Sequence, residues 1–132
     1  HPARVTAKFG CDAEGKLVAC DVSATFDTGA YASWGPTVAN RVPVHAMGPY
    51  AMPHVRTWGE AFFTNGPPAG AFRGFGVPQA TALQETLIDR LAEAAGLDRL
   101  AFRLHNALRA GDETLSNEDS IEIRPVISGG SL

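Results

Sequence analysis

The sequence predicts an α+β fold, an antiparallel sheet of three or four strands with one long helix and one or two shorter helices packed on it. Two observations carry this prediction. Apolar and polar residues alternate over residues 3–27, which is the period of half-buried strands. From Val77 onward, apolar residues fall three or four positions apart, which is the period of a helix with one buried face. A chain of 132 residues is long enough to form one domain around such a core.

The first predicted element is a hairpin over residues 3–27. Apolar side chains occupy every second position from Ala3 to Cys11 and again from Val18 to Phe26. Asp12 and Gly15 lie between the two runs and are typical turn formers. The two runs are therefore expected to pair as antiparallel strands.

The middle of the chain predicts a short helix and a third strand. Pro36 suits the first turn of a helix over Thr37–Met47, and Pro43 argues against a long regular one. The stretch "HVRTWGEAFFTN", residues 54–65, is rich in aromatic and β-branched residues, as strands are.

Two helices and an acidic tail are predicted after residue 76. The long helix runs from Val77 to Ala95, with Gly96 as its C-terminal stop, and Asp98 is the N-cap of a second helix. Residues 113–122 are acidic and loop-like, and residues 121–128 form a short edge strand. We therefore divide the chain into residues 1–112, one domain, and residues 113–132, a loop and tail.

Charge and cysteine content exclude several classes of function. The net charge is −3 and no basic cluster exists, so nucleic-acid binding is not expected. No apolar run approaches the ~20 residues that span a bilayer, and a cytoplasmic protein without a membrane span is expected. Two cysteines are too few for a four-thiolate zinc site or an iron–sulfur cluster, and no metal-ligand set is predicted.

The stretch "GAFRGFGVPQ", residues 70–79, has three interpretations. Arg73 to Gly76 match the opening of the RNP1 signature of RNA-binding sheets, but Pro78 could not donate to a central strand. Gly74 and Gly76 could leave backbone amides open to an anion ahead of a helix N-terminus. They could also serve only to permit a tight turn between a strand and a helix.

Three stretches occur in the order "DTGAYASWGP", "PPAGAFRGFGVPQAT" and "GLDRLAFRLHNALRAGD". Over residues 1–112, the chain thereby resembles the molybdenum-binding subunit of the xanthine dehydrogenase and aldehyde oxidoreductase family. The resemblance implies an oxidoreductase that uses a molybdenum–molybdopterin cofactor to add a water-derived oxygen to an electron-poor carbon.

Site residues follow from this resemblance. It implies that the loop residues Ala71, Phe72, Arg73 and Gly74 contact the cofactor, and that the Phe75 ring stacks on a flat substrate. It assigns Arg41 to substrate binding and to catalysis, as the group that steadies developing negative charge. Within this resemblance, the presence of Arg41 implies a purine-like N-heterocycle in preference to an aldehyde as substrate. From its sequence context alone, Arg41 could instead be a surface or capping residue.

Other parts of the enzyme are implied as partners. The resemblance places iron–sulfur clusters and FAD on other subunits or domains, and the general base on another domain of the molybdenum subunit. The chain alone is therefore expected to be inactive. A non-catalytic interaction or scaffold module that kept the fold is the alternative. Trp34, Trp58, Phe62 and Phe63 are expected to be core or subunit-interface residues.

Overall fold

The computed structural model describes residues 1–109, which form one three-stranded sheet and three helices. The predicted α+β class is confirmed. The strands are β1 (Ala3–Cys11), β2 (Leu17–Gly29) and β3 (His54–Phe63), and the helices are α1 (Gly35–His45), α2 (Val77–Ala94) and α3 (Arg99–Asn106). The expected strand at 121–128 and the acidic tail lie outside the described residues.

The sheet is mixed, with the order β1-β2-β3. β1 and β2 form the predicted antiparallel hairpin, but β3 pairs with β2 in parallel. The expectation of a wholly antiparallel sheet is therefore wrong for β3. Its direction follows from the connection, because the segment that joins β2 to β3 contains α1 and returns the chain to the same end of the sheet.

Helices α1 and α2 cover one face of the sheet. The alternate residues Cys20, Val22, Ala24 and Phe26 of β2 point into this layer and are at most 5% exposed. α1 lies over β2 and β3, whereas α2 lies over β1. The opposite face, with Arg4, Thr6 and Lys8 on β1, carries no helix among the described residues.

Helix α3 closes the domain through a buried asparagine. Its predicted N-cap is confirmed, since Asp98 Oδ1 accepts from the amides of Leu100 and Ala101. At the other end, Asn106 is 3% exposed, accepts from the Leu17 amide at 2.7 Å and donates to the Gly15 carbonyl at 2.9 Å. The end of α3 is thereby hydrogen-bonded to the hairpin turn.

An ion cluster joins α3 to α2. Arg103 donates to Glu85 and Asp89, and the Tyr50 hydroxyl donates to Glu85 at 3.0 Å. Burial and the neighbouring Glu85 carboxylate together raise the pKa of Tyr50. The cluster thus links α3 to α2 through charged hydrogen bonds.

Candidate cofactor and substrate site

A set of hydrogen bonds between the end of β2 and residues 64–69, here called the latch, positions residues 64–70. The Asp27 carboxylate, at the end of β2, accepts from the Thr64 hydroxyl at 2.7 Å and from the Gly29 amide at 2.8 Å. The Ala69 amide donates to the Thr28 carbonyl at 3.1 Å. These contacts explain the stretch "DTG" structurally, because it holds the segment that leads into residues 71–76.

The hydrogen bonds of Asp27 should make the stability of the fold depend on pH. The Thr64 hydroxyl and the Gly29 amide hold the pKa of Asp27 below its usual range. A carboxyl group whose pKa is lower in the folded state stabilises the fold above its unfolded pKa, about 3.9, and loses this effect as the pH falls through the folded value. We therefore expect Asp27→Asn to destabilise the protein at neutral pH and the difference from wild type to shrink below about pH 4.

The measurement is the free energy of unfolding in urea, for wild type and Asp27→Asn, at several pH values. Subtracting the two curves removes contributions from other carboxylates, including Asp21, whose pKa is lowered by Arg56. A difference that stays constant from neutral to strongly acidic pH would contradict the role of the ionised carboxylate.

The loop at 71–76 has an unusual backbone. Gly74, Phe75 and Gly76 follow one another with φ values of +94°, +54° and +93°. For phenylalanine a positive φ is strained, and such strain persists where the surrounding structure or the function requires it. The Phe75 amide donates to the Phe72 carbonyl and the Val77 amide to the Gly74 carbonyl, both at 2.9 Å. The segment is a turn, not a strand, which excludes the RNP1 interpretation.

Gly76 brings this turn against α1. A Cβ at Gly76 would lie 2.4 Å from the Val38 carbonyl oxygen and 3.2 Å from the Arg41 Cβ atom. Only a residue without a side chain allows the two backbones to approach this closely. As a result, the Arg41 guanidinium carbon lies 6.0 Å from the centre of the Phe75 ring. Two predicted site residues, 34 positions apart in the chain, thus come together.

Trp34 is a third member of this group. Its ring meets that of Phe75 edge to face, with centroids 5.8 Å apart, and the residue is 58% exposed. Of the two positions expected for Trp34, the core is therefore excluded, and a subunit interface stays a prediction. Trp34 is the N-cap residue of α1, and Arg41 lies within that helix seven residues further on.

The predicted cofactor residues lie beside this group. Ala71, Phe72, Arg73 and Gly74 are exposed, and none of their amides donates a hydrogen bond within residues 1–109. A cleft of about 190 Å³ adjoins them. It is lined by His1, Val38, Phe72, Arg73, Phe75, Gly76, Pro78 and Gln79.

Two polar atoms in this cleft are buried without a partner, His1 Nε2 and Gln79 Oε1. Buried polar atoms in native proteins are nearly always hydrogen-bonded. Open amides and unpaired polar atoms at one place could bind a polar ligand. Sequence reasoning did not single out His1 or Gln79.

Comparison with known proteins decides the family. Residues 1–107 match the family described as the molybdopterin cofactor-binding domain. The chain belongs to this family. The resemblance to the xanthine dehydrogenase and aldehyde oxidoreductase family is thereby confirmed, and so is molybdopterin as the cofactor.

Relatives of this molybdopterin-binding domain are longer proteins. It is 47% identical, over 84% of its length, to the nicotinate dehydrogenase large molybdopterin subunit of Eubacterium barkeri, of which it covers 26%. It is 32% identical to the xanthine dehydrogenase molybdenum-binding subunit of Escherichia coli, over 85% of this chain and 15% of that one. The chain thus spans about a quarter or less of their length.

A solved structure shares the fold. The aldehyde oxidoreductase from Desulfovibrio gigas superimposes with a TM-score of 0.76 at 34% identity, over 83% of this chain and 12% of that one. The molybdopterin-binding domain is thus a segment of a larger architecture in its structural neighbour.

The remaining sites offer little chemistry. In the described part of the chain, no three His, Cys, Asp or Glu side chains gather as a metal-binding group. Burial raises the pKa of the Cys20 thiol, which makes it a poor nucleophile. None of the helices within residues 1–109 combines the length and apolar character of a bilayer crossing.

Proposed function

We propose that this domain supplies part of the cofactor pocket and the substrate wall of a molybdenum hydroxylase that acts on a purine-like N-heterocycle. The carrying observation is the position of the Arg41 guanidinium, 6.0 Å from the centre of the Phe75 ring. A flat apolar surface with a cation beside it suits a planar ring on which negative charge develops during the reaction.

Residues 71–74 would hold the molybdopterin. Their four consecutive amides are donors without partners inside the described chain, and they can bind phosphate or pterin oxygens. The exposed Arg73 side chain adds a positive charge at the same place. When bound, the molybdenum–molybdopterin cofactor supplies the oxygen transfer and takes up two electrons.

Phe75 and Arg41 would bind the substrate. The half-buried Phe75 ring is held from behind by the core, which leaves part of it open for stacking. Arg41 is exposed and can donate to an oxygen or a ring nitrogen of the substrate. An aldehyde is the second candidate substrate, supported by the structural neighbour's name, but Arg41 favours the N-heterocycle.

Other components complete the enzyme in this proposal. Because the chain spans about a quarter or less of its relatives' length, we place the general base, the iron–sulfur clusters and FAD on further domains or subunits. Residues 1–112 would then be one part of the molybdopterin-binding unit, with 113–132 as its tail. A scaffold without catalysis is not favoured, because the loop amides and the Arg41–Phe75 pair are all in place.

The test is turnover by the complete enzyme and by its Phe75→Leu variant. Wild type should oxidise hypoxanthine or nicotinate. Leucine keeps an apolar side chain but removes the flat face, so KM for these substrates should rise about five- to tenfold, which corresponds to the ~1 kcal/mol of aromatic stacking.

Two controls accompany this measurement. The molybdenum content of Phe75→Leu should equal that of wild type, and its activity toward acetaldehyde, where wild type shows any, should be unchanged. If the complete protein contains no molybdenum, the proposed function is refuted and the non-catalytic scaffold module is the remaining interpretation. An unchanged KM for hypoxanthine and nicotinate would refute the stacking role.

A further inference from the structure

β3 is an edge strand that lacks the usual protection against pairing. It is ten residues long, contains no proline and, within residues 1–109, has β2 as its neighbour on one side only. Natural edge strands are normally shortened, bulged or guarded by charges and prolines, because their free backbone groups otherwise recruit another strand. β3 is neither short nor interrupted by proline, and the irregularity in its pairing with β2 is confined to its last residues, opposite Asp27 and Gly29.

Large apolar side chains are exposed on both faces of β3. Trp58 and Phe62, on the face without helices, are 63% and 50% exposed. Val55 and Phe63, on the helix-covered face, are 42% and 68% exposed because α1 covers only the residues between them. Exposed apolar surface concentrated on one element marks an interaction site.

The two charged residues of β3 do not guard its free edge. Arg56 forms an ion pair with Asp21 of β2, and Glu60 accepts from the Thr25 hydroxyl of β2 at 3.5 Å. Both charged groups are thus directed toward β2 and away from the free edge. The backbone groups on the free side of β3 are therefore available to another strand, and Trp58 and Phe62 are exposed beside them.

The other edge of the same sheet provides a contrast. β1 exposes Arg4, Thr6 and Lys8, and none of its large apolar side chains is among the exposed ones. Lysine and arginine on an edge strand oppose strand addition. One edge of this sheet is therefore protected and the other is not.

We propose that the free edge of β3 binds a β-strand from the rest of the molybdenum-binding protein. Most of the relatives' length lies outside the matched segment, so the partner with the largest available surface is that remaining protein. The added strand would carry apolar residues on both faces, to pack on Trp58 and Phe62 on one side and on Val55 and Phe63 on the other.

This inference rests on the proposed function only for the identity of the partner. β3 ends at Phe63, and the next residue, Thr64, donates to Asp27 in the latch that leads into the cofactor loop. A strand that pairs with β3 would therefore lie next to the residues from which the cofactor loop begins.

The test is amide hydrogen exchange of the complete protein, read in peptides from residues 54–63. If a strand covers the edge, nearly all of these amides should be protected, as in a central strand. If the edge is free, alternate amides should exchange rapidly, and this result would overturn the proposal. Because turnover is not needed, the outcome is independent of whether the proposed function holds.

A variant pair sharpens the test. Trp58→Lys should raise the exchange rate in 54–63 at least about tenfold, whereas Thr6→Lys, on the same sheet face of β1, should leave it unchanged. Equal exchange in both variants would contradict the proposal. Protection that falls on dilution of the wild-type protein would assign the edge to a second copy and would also refute the proposed partner. If Trp58→Lys does not fold, the wild-type exchange pattern alone decides.

Discussion

Arg41→Met in the complete enzyme should lower kcat/KM toward hypoxanthine or nicotinate about a hundredfold or more, a loss of ~3 kcal/mol in transition-state stabilisation. Methionine retains an unbranched stem, so the Cβ atom that packs near Gly76 is preserved while the charge is removed. The loss should appear in kcat as well as in KM, because the guanidinium contacts the bound substrate and also stabilises charge that develops only in the transition state.

Arg4→Met is the matched control for this variant. It removes a guanidinium from β1 on the sheet face that carries no helix among the described residues, so it should leave both kinetic constants unchanged. The molybdenum content of both variants should equal that of wild type. If Arg41→Met falls less than about threefold in kcat/KM, Arg41 has no role in stabilising the transition state.

Gly76→Ala should lower the free energy of unfolding by about 2–4 kcal/mol, because the strain of a positive φ adds to an overpacked contact. Gly76 has a φ of +93°, and a methyl group there would lie 2.4 Å from the Val38 carbonyl oxygen. Since this oxygen belongs to the α1 backbone, the clash can be relieved only by separating the loop from the helix. That movement would also take Arg41 away from Phe75, so turnover should fall with stability.

Gly70→Ala tests whether any added methyl group in this loop is harmful. A Cβ at Gly70 meets only the Ser33 hydroxyl oxygen, at 4.0 Å, and its φ is not positive. Urea unfolding should therefore show Gly70→Ala within about 0.5 kcal/mol of wild type. Similar losses in both variants would mean that the contact between Gly76 and α1 is not what determines stability here.

Local patterns in the sequence predicted the elements better than their arrangement. Strict alternation defined the hairpin, and the spacing of apolar residues such as Ala80, Leu83, Ile88 and Leu91 defined α2, because one buried face imposes one period. The direction of β3 depends on the path of the chain through α1, which no period encodes. The buried face of α3 was also not readable from its apolar residues. Its leucines Leu100 and Leu104 are more than 60% exposed, whereas Phe102 and the polar Asn106 are buried.

The site was predicted residue by residue but not as a group. Resemblance assigned roles to Arg41 and Phe75, and the glycines around Phe75 indicated a special backbone. Nothing in the sequence stated that a strained phenylalanine would lie between Trp34 and Arg41. That arrangement arises from the close approach of two backbones at Gly76, a tertiary contact between distant segments.

The hydrogen bond from the Leu17 amide to Asn106 joins residues 89 positions apart. During synthesis, the Leu17 amide of the hairpin cannot gain its acceptor, the Asn106 side-chain oxygen, until Asn106 has left the ribosome. Full hydrogen bonding of β2 therefore depends on the completion of α3. A polypeptide cut before Asn106 would leave the buried Leu17 amide without its acceptor.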